Sequence, residues 1–432
     1  MIRKILLNKN MDGEKKYTFR EKISWATYDW ANSVFATTVL AGFFPLFFKS
    51  YWGGDLNDVT STAYLGTASS ISGFIIVLIA PILGAMADLS GNKKKFLISF
   101  ALIGILSTST LFFISYGNWQ WSLFIFGLSI IGFSGANIFY DSLLIDVSSE
   151  KDRNYVSSMG YALGYLGGGI LFLINVLMYL YPASFFLETE IEGILYSFLS
   201  VSVWWFLFSI PLYIFVKQKQ KENVIQSANS LKKSLQRVLS TFREIKKYKA
   251  VLIFLIAYWF YIDGIDTIVR MAIAYGTDLG FDSSQLIIAL ILTQFIGFPA
   301  TFAYAFLAEK LGLFNMLVAG ILVYIFICIY SLFISSTLDF FILAGLVGLV
   351  QGGVQSVSRT IFSNLIPQEK ATEFFGFYNL VGKSAVVVGP ALVGWTAYIF
   401  NNPKAGIISL LLLFIPGILL LFFVPKDNLL KR

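Results

Sequence analysis

The chain contains no histidine and a single cysteine, Cys328, in 432 residues. Without histidine there is no imidazole base, no Ser-His-Asp triad and no His-ligated metal. One cysteine excludes an internal disulfide and any cysteine cluster for zinc or iron–sulfur. No metal site and no cofactor are expected. Charge is scarce too: Asp, Glu, Lys and Arg make up 13% of the residues, against about 25% in a soluble domain. The chain also lacks a Gly-x-x-x-x-Gly-Lys-Ser/Thr loop and a soluble region to hold one, which excludes ATP-driven pumping within it. What it has instead is apolar surface, 57% hydrophobic and 17% aromatic. There is too little polar surface to cover a soluble globule of this length, so the bilayer is the expected solvent.

Twelve stretches are long and apolar enough to cross about 30 Å of hydrocarbon, which takes roughly 20 residues each. They are 24–49, 61–87, 95–115, 119–146, 156–181, 192–216, 250–276, 284–307, 313–334, 339–364, 371–400 and 403–424. In hydrocarbon every backbone N–H and C=O must be satisfied within the segment or in a closed barrel. Barrel strands alternate apolar and polar residues. Runs such as Leu410–Leu421, apolar on all faces, do not, so helices are expected. Residues 1–22 are too charged for a cleavable signal.

The connecting charges carry an orientation. On the side of the N-terminus lie seven Lys and Arg before the first span, three at 93–95, and Lys151 and Arg153. Ten more follow in 217–249, then Lys310, Arg359, Lys370 and three after the last span. The opposite side has only Lys49 and Lys404. This asymmetry predicts that both termini are cytoplasmic. The net charge of +7 is therefore read as topology, and nucleic acid is not expected as a partner. The basic face below means the side with the 91–92, 148–152 and 366–370 turns; the acidic face is the other.

The tract 217–249 divides the spans six and six. It is amphipathic, with Leu231, Leu235, Val238, Leu239, Phe242 and Ile245 on one helical face, and is expected to lie on anionic lipid as a surface helix. The expected organisation is an N-terminal segment 1–23, a six-helix bundle 24–216, the linker 217–249, a second bundle 250–424 and a tail 425–432. The halves echo each other: Gly132 and Gly160 recur at the spacing of Gly348 and Gly376, each second glycine followed by an aromatic, Tyr161 or Phe377. Gly84-x-x-x-Asp88-x-x-Gly91-x-Lys93 is matched by Ala305-x-x-x-Glu309-Lys310-x-Gly312. Two six-span repeats around a central site suit an alternating-access carrier. The expected fold class is thus an all-α integral membrane protein of 12 transmembrane helices in two pseudo-symmetric bundles, acting as a monomer.

A charge inside the bilayer costs about 2.5–3.5 kcal/mol on insertion scales, so it normally faces a partner or water. In span seven Asp263, Asp266 and Arg270 share one helical face. Asp266 and Arg270 either pair as a simple internal salt bridge or leave a carboxylate over as a proton carrier. In span eleven Asn379 and Lys383 stand four apart; Lys383 meets either a solute carboxylate or Asp263. Asp263 and Lys383 are expected to face an aqueous space between the halves. Gln351, Gln355 and Arg359 make a polar stripe on span ten. Tyr28, Asp29 and Asn32 lie in span one, and Asn137 and Asp141 in span four, with Asp146 near its inner end. These residues are the candidate solute or ion ligands, Asp146 excepted. Gln294 and Asn175 are expected to serve helix packing. Spans three, six, nine and twelve lack interior charge and are expected to face lipid. Glycines at 160, 164, 167–169, 382, 389 and 394, with Pro390, mark close helix contact and a kink.

Gly84, Asp88, Gly91 and Lys93 resemble the inner-loop signature of major facilitator superfamily transporters, with Leu89 and Asn92 where basic residues are usual. Glu309, Lys310 and Gly312 resemble its second copy. Span five is similar to a glycine-rich exporter motif, with Tyr165 in place of proline. Tyr28-Asp29-Trp30-Ala31-Asn32-Ser33, Gln351-Gly352-Gly353-x-Gln355-x-x-Ser358-Arg359 and Phe374-Phe375-Gly376-Phe377-Tyr378 are similar to the vacuole-effluxer-like branch. The fungal member of that branch is linked to autophagy and exports amino acids. The resemblance implies two six-helix bundles and transport without ATP hydrolysis. It also implies that Asp88 holds a cytoplasmic gate shut by capping a helix N-terminus. Asp146 and Arg153 beside the same loops are assigned to that gate with Gly84, Gly91, Lys93, Glu309, Lys310 and Gly312. The expected function is secondary transport of a small polar solute, an amino acid or relative, proton-coupled or not, outward or inward. The alternative is a lipid or hydrophobic-compound carrier of the same fold. An enzyme is not expected, because without histidine it would depend on carboxylates alone.

Overall fold

The computed structural model describes residues 18–54, 56, 58–218, 248–385, 388–400 and 402–425. The expected surface helix at 217–249 falls almost wholly outside the described residues. Every described element is helical. The ten leading spans are α1 (Phe19–Trp52), α2 (Asp58–Ser90), α3 (Lys93–Thr110), α4 (Trp119–Val147), α5 (Arg153–Leu180), α6 (Glu190–Phe215), α7 (Lys249–Asp278), α8 (Ser283–Leu311), α9 (Leu313–Tyr330) and α10 (Thr337–Leu365). Span eleven is described as α11 (Ala371–Ala385) and α12 (Val388–Phe400), with residues 386–387 between them outside the described residues, and span twelve as α13 (Pro403–Ser409) and α14 (Leu411–Leu421). Among the described residues, eleven of the twelve expected stretches contain one helix, or a continuous helical run, long enough to cross a bilayer. Span eleven is described in two helical stretches, on either side of residues 386–387.

Polar caps start the helices at the bilayer edges, where first-turn N–H groups lack intrahelical acceptors. Thr18 with Glu21 and Ser336 with Asp339 form capping boxes on α1 and α10. Thr189 caps α6 and Asn402 caps α13. α1 widens into π-helix over Phe35–Phe43 and again over Phe48–Trp52, around Pro45, which has no N–H to give.

Among the described residues two large apolar cores form, with a small third cluster at Leu286, Ala289 and Phe340. One joins α1 to α6 through Trp25, Phe44, Phe126, Trp205 and their neighbours. The other joins α7 to α14 through Phe254, Tyr324, Phe362 and Phe414. The halves meet where α2 and α4 pack against α11, and α5 against α8 and α10. Away from that seam, α3, α6, α9 and α14 present Leu106, Phe206, Phe326 and Leu419 outward. In a bilayer such apolar stripes need no partner but lipid.

Candidate functional site

Helices from both halves converge on one guanidinium. Arg359 on α10 is 1% exposed. Its Nη1 donates to Asp141 Oδ1 on α4 at 3.1 Å and stands 3.8 Å from Asp29 Oδ2 on α1. Its Nε donates to Ser157 Oγ at 3.0 Å and its Nη2 to the Ser157 carbonyl at 2.8 Å, both on α5. Tyr161, Trp25 and Tyr140 present their rings 4.2, 5.0 and 5.7 Å from it. A planar, permanently charged fork suits this buried, ring-walled position in a way a lysine ammonium does not.

Each carboxylate is itself held. Tyr140 Oη donates to Asp29 Oδ2 at 2.8 Å, and Trp25 Nε1 donates to the Tyr140 carbonyl at 3.0 Å. Asn379 Nδ2 on α11 donates to Asp141 Oδ2 at 3.2 Å. Ser158 and Ser356 exchange a hydroxyl bond of 2.7 Å across the seam. The network therefore spans α1, α4 and α5 of one half and α10 and α11 of the other. Asp141 and Arg359 each lie six residues from the basic-face ends of their helices, about 9 Å along a helix axis. The cluster thus sits below the middle of the spans, as a floor toward the basic face.

A second layer lies closer to that face. Arg153 Nη1 on α5 donates to Asn364 Oδ1 at 2.7 Å and to the Ser363 carbonyl at 3.4 Å, closing over the last turn of α10. Asn154 Nδ2 donates to the Ala305 carbonyl of α8 at 3.2 Å. Gly84 of α2 lies so close to α11 that a methyl group there would meet the Thr372 carbonyl oxygen at 2.7 Å. Within the first half, Lys93 pairs with Asp146 at 2.9 Å, and Lys22 pairs with Asp152. Gln218 bridges Gly91, whose φ of +64° needs glycine, by donating to its carbonyl. Nearer mid-span, Gln294 Nε2 of α8 donates to Thr37 Oγ1 at 2.6 Å, inside the π-helical stretch of α1.

The expected ligands thus separate. Asp29, Asp141, Arg359 and Asn379 come together across the seam. Asn32 and Asn137 form a bond of 2.7 Å within the first half, and Tyr28 is buried beside Tyr140. Gln351 and Gln355 are half-buried on α10, above Arg359. Asp263, expected to face water between the halves, is instead 0% exposed inside the second half. Both its oxygens accept from the Gly389 N–H, at 3.0 and 2.9 Å. Arg270 stands exposed and makes no ion pair with Asp266 among the described residues. Glu309 and Lys310 are exposed, Lys310 lying over the Phe306 ring at 4.2 Å, and Gly312 takes a φ of +92°. The side chains of Asp88 and Lys383 lie outside the described residues. Gln294, expected only to pack, bridges the halves, whereas Asn175 does pack, accepting from Ser200 Oγ at 2.9 Å. Ser157, Ser158, Ser356, Tyr140 and Asn364 were not among the candidates. Serine and tyrosine recur throughout these spans and Asn364 stands at a span end, so no pattern in the sequence singles these five out.

Comparison with known proteins gives a family match at residues 50–149 and 145–431, to the vacuole effluxer Atg22-like model. The chain is 42% identical over 416 residues to an uncharacterised MFS-type transporter, YxiO, of Bacillus subtilis strain 168, covering 96% of each. It is 25% identical over 449 residues to autophagy-related protein 22 of Eremothecium gossypii, covering 90% of this chain and 87% of that one. Among solved structures, the human organic anion transporter MFSD10 superposes with a TM-score of 0.69 at 15% identity, covering 93% of this chain and 99% of that one. The proton:xylose symporter XylE also gives 0.69, at 14% identity and 94% of each chain. At such identities the structural likeness speaks for the fold alone.

Proposed function

Because the chain belongs to the vacuole effluxer Atg22-like family of major facilitator transporters, we propose that it moves a small zwitterionic solute, an amino acid or close relative, by alternating access between its halves. The observation that carries this reading is the Arg359 cluster. It joins the halves through a guanidinium on one side and two carboxylates on the other. Opening the seam toward the basic face separates those charges, which is costly in a dry site unless something replaces each partner. A zwitterion brings both replacements, a carboxylate for Arg359 and an ammonium for Asp29 or Asp141. Asn379 and Gln355 flank its path, and Gly84, Lys93, Asp146 and Arg153 belong to the closure beneath. A proton on one carboxylate is the natural coupling partner, since the chain has no histidine to carry it. The placement of Lys and Arg supports cytoplasmic termini, a cytoplasmic-membrane location and an inner leaflet contact for 217–249.

The test is solute binding to the purified protein. A panel of amino acids, amines and organic acids is screened by thermal shift at pH 5.5 and 7.5. A true ligand at a hundredfold excess over its Kd adds about 2.7 kcal/mol of stability. Amino acids are expected to shift the transition more than amines or acids lacking one of the two charges. A shift by single-charge compounds alone rejects the zwitterion reading.

One observation favours a second reading. A crevice in the second half is lined by Ile268, Leu286, Leu290, Phe340, Leu343 and Val347, almost wholly apolar. Transport of a hydrophobic compound is supported if apolar amines or lipids, and no polar solute, stabilise the protein.

A further inference from the structure

A bulky residue occupies a backbone seat that usually holds glycine, and its ring touches almost nothing in the chain. The loop joining α5 to α6 on the acidic face opens with one 3₁₀ turn, Pro182–Phe185. Two backbone bonds close that turn. The Leu187 N–H donates to the Pro182 carbonyl at 3.1 Å, and the Phe186 N–H donates to the Ala183 carbonyl at 3.3 Å. This pair of bonds is the one that ends helices on a left-handed residue, most often glycine. Phe186 fills the seat with a φ of +60°. Among the described residues no other non-glycine residue takes a positive φ. A bulky side chain in that region is strained, and such strain persists where the surroundings compensate it. The chain itself does not compensate it, because Phe186 is 99% exposed. The far end of the loop is held as well: Thr189 Oγ1 accepts from the Glu192 N–H at 3.2 Å, and Glu192 Oε2 accepts from the Glu188 N–H at 2.8 Å. The ring is thus presented outward from a turn fixed at both ends.

The surfaces on either side of the loop say what meets it. Leu173, Leu177 and Leu180 recur at spacings of four and three, which is one face of α5, and all are exposed. On a helix that crosses the bilayer, such a stripe faces lipid. It runs on into the exposed Tyr181, one residue before the turn. Glu188, Glu190 and Glu192 follow the ring directly and are exposed. Carboxylates stay out of hydrocarbon, so they limit how deep the loop can sink. An aromatic ring between an acyl-facing stripe and a row of acids lies at the headgroup boundary, where aromatic residues collect. We propose that Phe186 is an interfacial anchor: its ring enters the acidic-face leaflet at the boundary of headgroups and acyl chains and fixes the depth of the α5–α6 hairpin. α5 carries Ser157, which receives Arg359, so the anchor steadies one wall of the seam against the bilayer. The inference stands apart from the zwitterion reading, since it needs no solute.

The experiment uses full-length protein in phosphatidylcholine nanodiscs, with two readouts. In the first, the photoreactive analogue p-benzoylphenylalanine replaces Phe186, or Glu188 as a control, and lipid adducts are counted by mass spectrometry after illumination. Position 186 is expected to give at least threefold more lipid adducts than position 188. Equal yields, or adducts to protein alone, overturn the proposal. The second readout leaves the loop without a bulky probe. It is the alkylation rate, by a charged maleimide, of a cysteine at the exposed Ser184, introduced by Ser184→Cys in a Cys328→Ser background. Phe186→Asn suits the left-handed seat and is polar; Phe186→Leu stays apolar and keeps the strain. Phe186→Asn is expected to speed alkylation at least threefold, and Phe186→Leu to stay within twofold of the parent. If the ring served only the turn, the order would reverse, with asparagine parent-like and leucine disturbed. That order, or equal rates in both variants, overturns the anchor.

Discussion

Arg359 and Asp141 stand 218 positions apart in the chain and in different halves, yet their charged atoms lie 3.1 Å apart in a site almost closed to solvent. The pair is paid for by burial on both sides, so removing one member is worse than removing both. Arg359→Ala leaves Asp141 and Asp29 without their buried counter-ion. Breaking such a pair costs about 3–5 kcal/mol. Arg359→Ala is expected to lower the thermal midpoint sharply, and Asp141→Asn somewhat less. With Arg359→Gln as the second single variant, the double variant Asp141→Asn/Arg359→Gln is expected to lose at least 1 kcal/mol less than the sum of the Asp141→Asn and Arg359→Gln losses, within the range of contacting residues. Additive losses in a double-mutant cycle would show that the two do not interact.

Tyr140 tests how Asp29 is held. Its hydroxyl donates to the carboxylate at 2.8 Å, a contact to a charged group worth about 1.5–3 kcal/mol. Tyr140→Phe keeps the ring beside Trp25, stacked at 4.4 Å, and deletes only the donor. The protein is expected to fold, with a modest loss of stability and a solute Kd weaker by about tenfold, which corresponds to 1.4 kcal/mol. Calorimetry with the best amino acid from the panel measures it. An unchanged Kd would place the solute away from Asp29.

Gly84 tests the closure at the basic face. A leucine there must displace the backbone of Thr372 and Glu373, which its Cβ would meet at 2.7–3.2 Å. The cheapest relief is to part α2 from α11. The probe is a cysteine at the half-buried Gln355, introduced by Q355C in a C328S background. Gly84→Leu is expected to raise its alkylation rate from the basic face at least tenfold. The same probe from the acidic face should slow. Equal rates from both faces before and after the change would remove Gly84 from the closure.

How far the sequence foretold these relationships depends on what carries a cost. Buried charges do, so Asp29, Asp141 and Arg359 stood out against apolar surroundings, and they meet. The twelve spans were legible for the same reason, since hydrocarbon leaves few alternatives. What periodicity could not supply was the partner. Asp263 shares a helical face with Asp266 and Arg270, and that pattern suggested an ion-pair group. Its actual partner is a backbone N–H 126 positions away, that of Gly389. The Gly389-Pro390 dipeptide signalled a kink, but a kink does not say which side chain will meet it. Likewise Ser157, Ser356 and Tyr140 look like ordinary helix residues until the halves are brought together.

The closure can also be opened from a second pair of helices, and that distinguishes a rigid rocking of halves from local fraying. Arg153 ties α5 to the end of α10 through Asn364 and Ser363, while Gly84 ties α2 to α11. Arg153→Ala removes a charged hydrogen bond worth about 1.5–3 kcal/mol, which corresponds to a rise of roughly 10- to 100-fold in a minor open population. If the halves move as bodies, both substitutions bias one equilibrium. Arg153→Ala must then speed alkylation of a cysteine at Phe377 on α11, beyond its own contacts, and its effect must multiply that of Gly84→Leu until the open form dominates. Arg153→Lys, which keeps the charge but loses the fork, should fall between. If Arg153→Ala speeds labelling only near α5 and α10, the two contacts fray separately. The closure at the basic face would then be a set of independent latches rather than one closing surface.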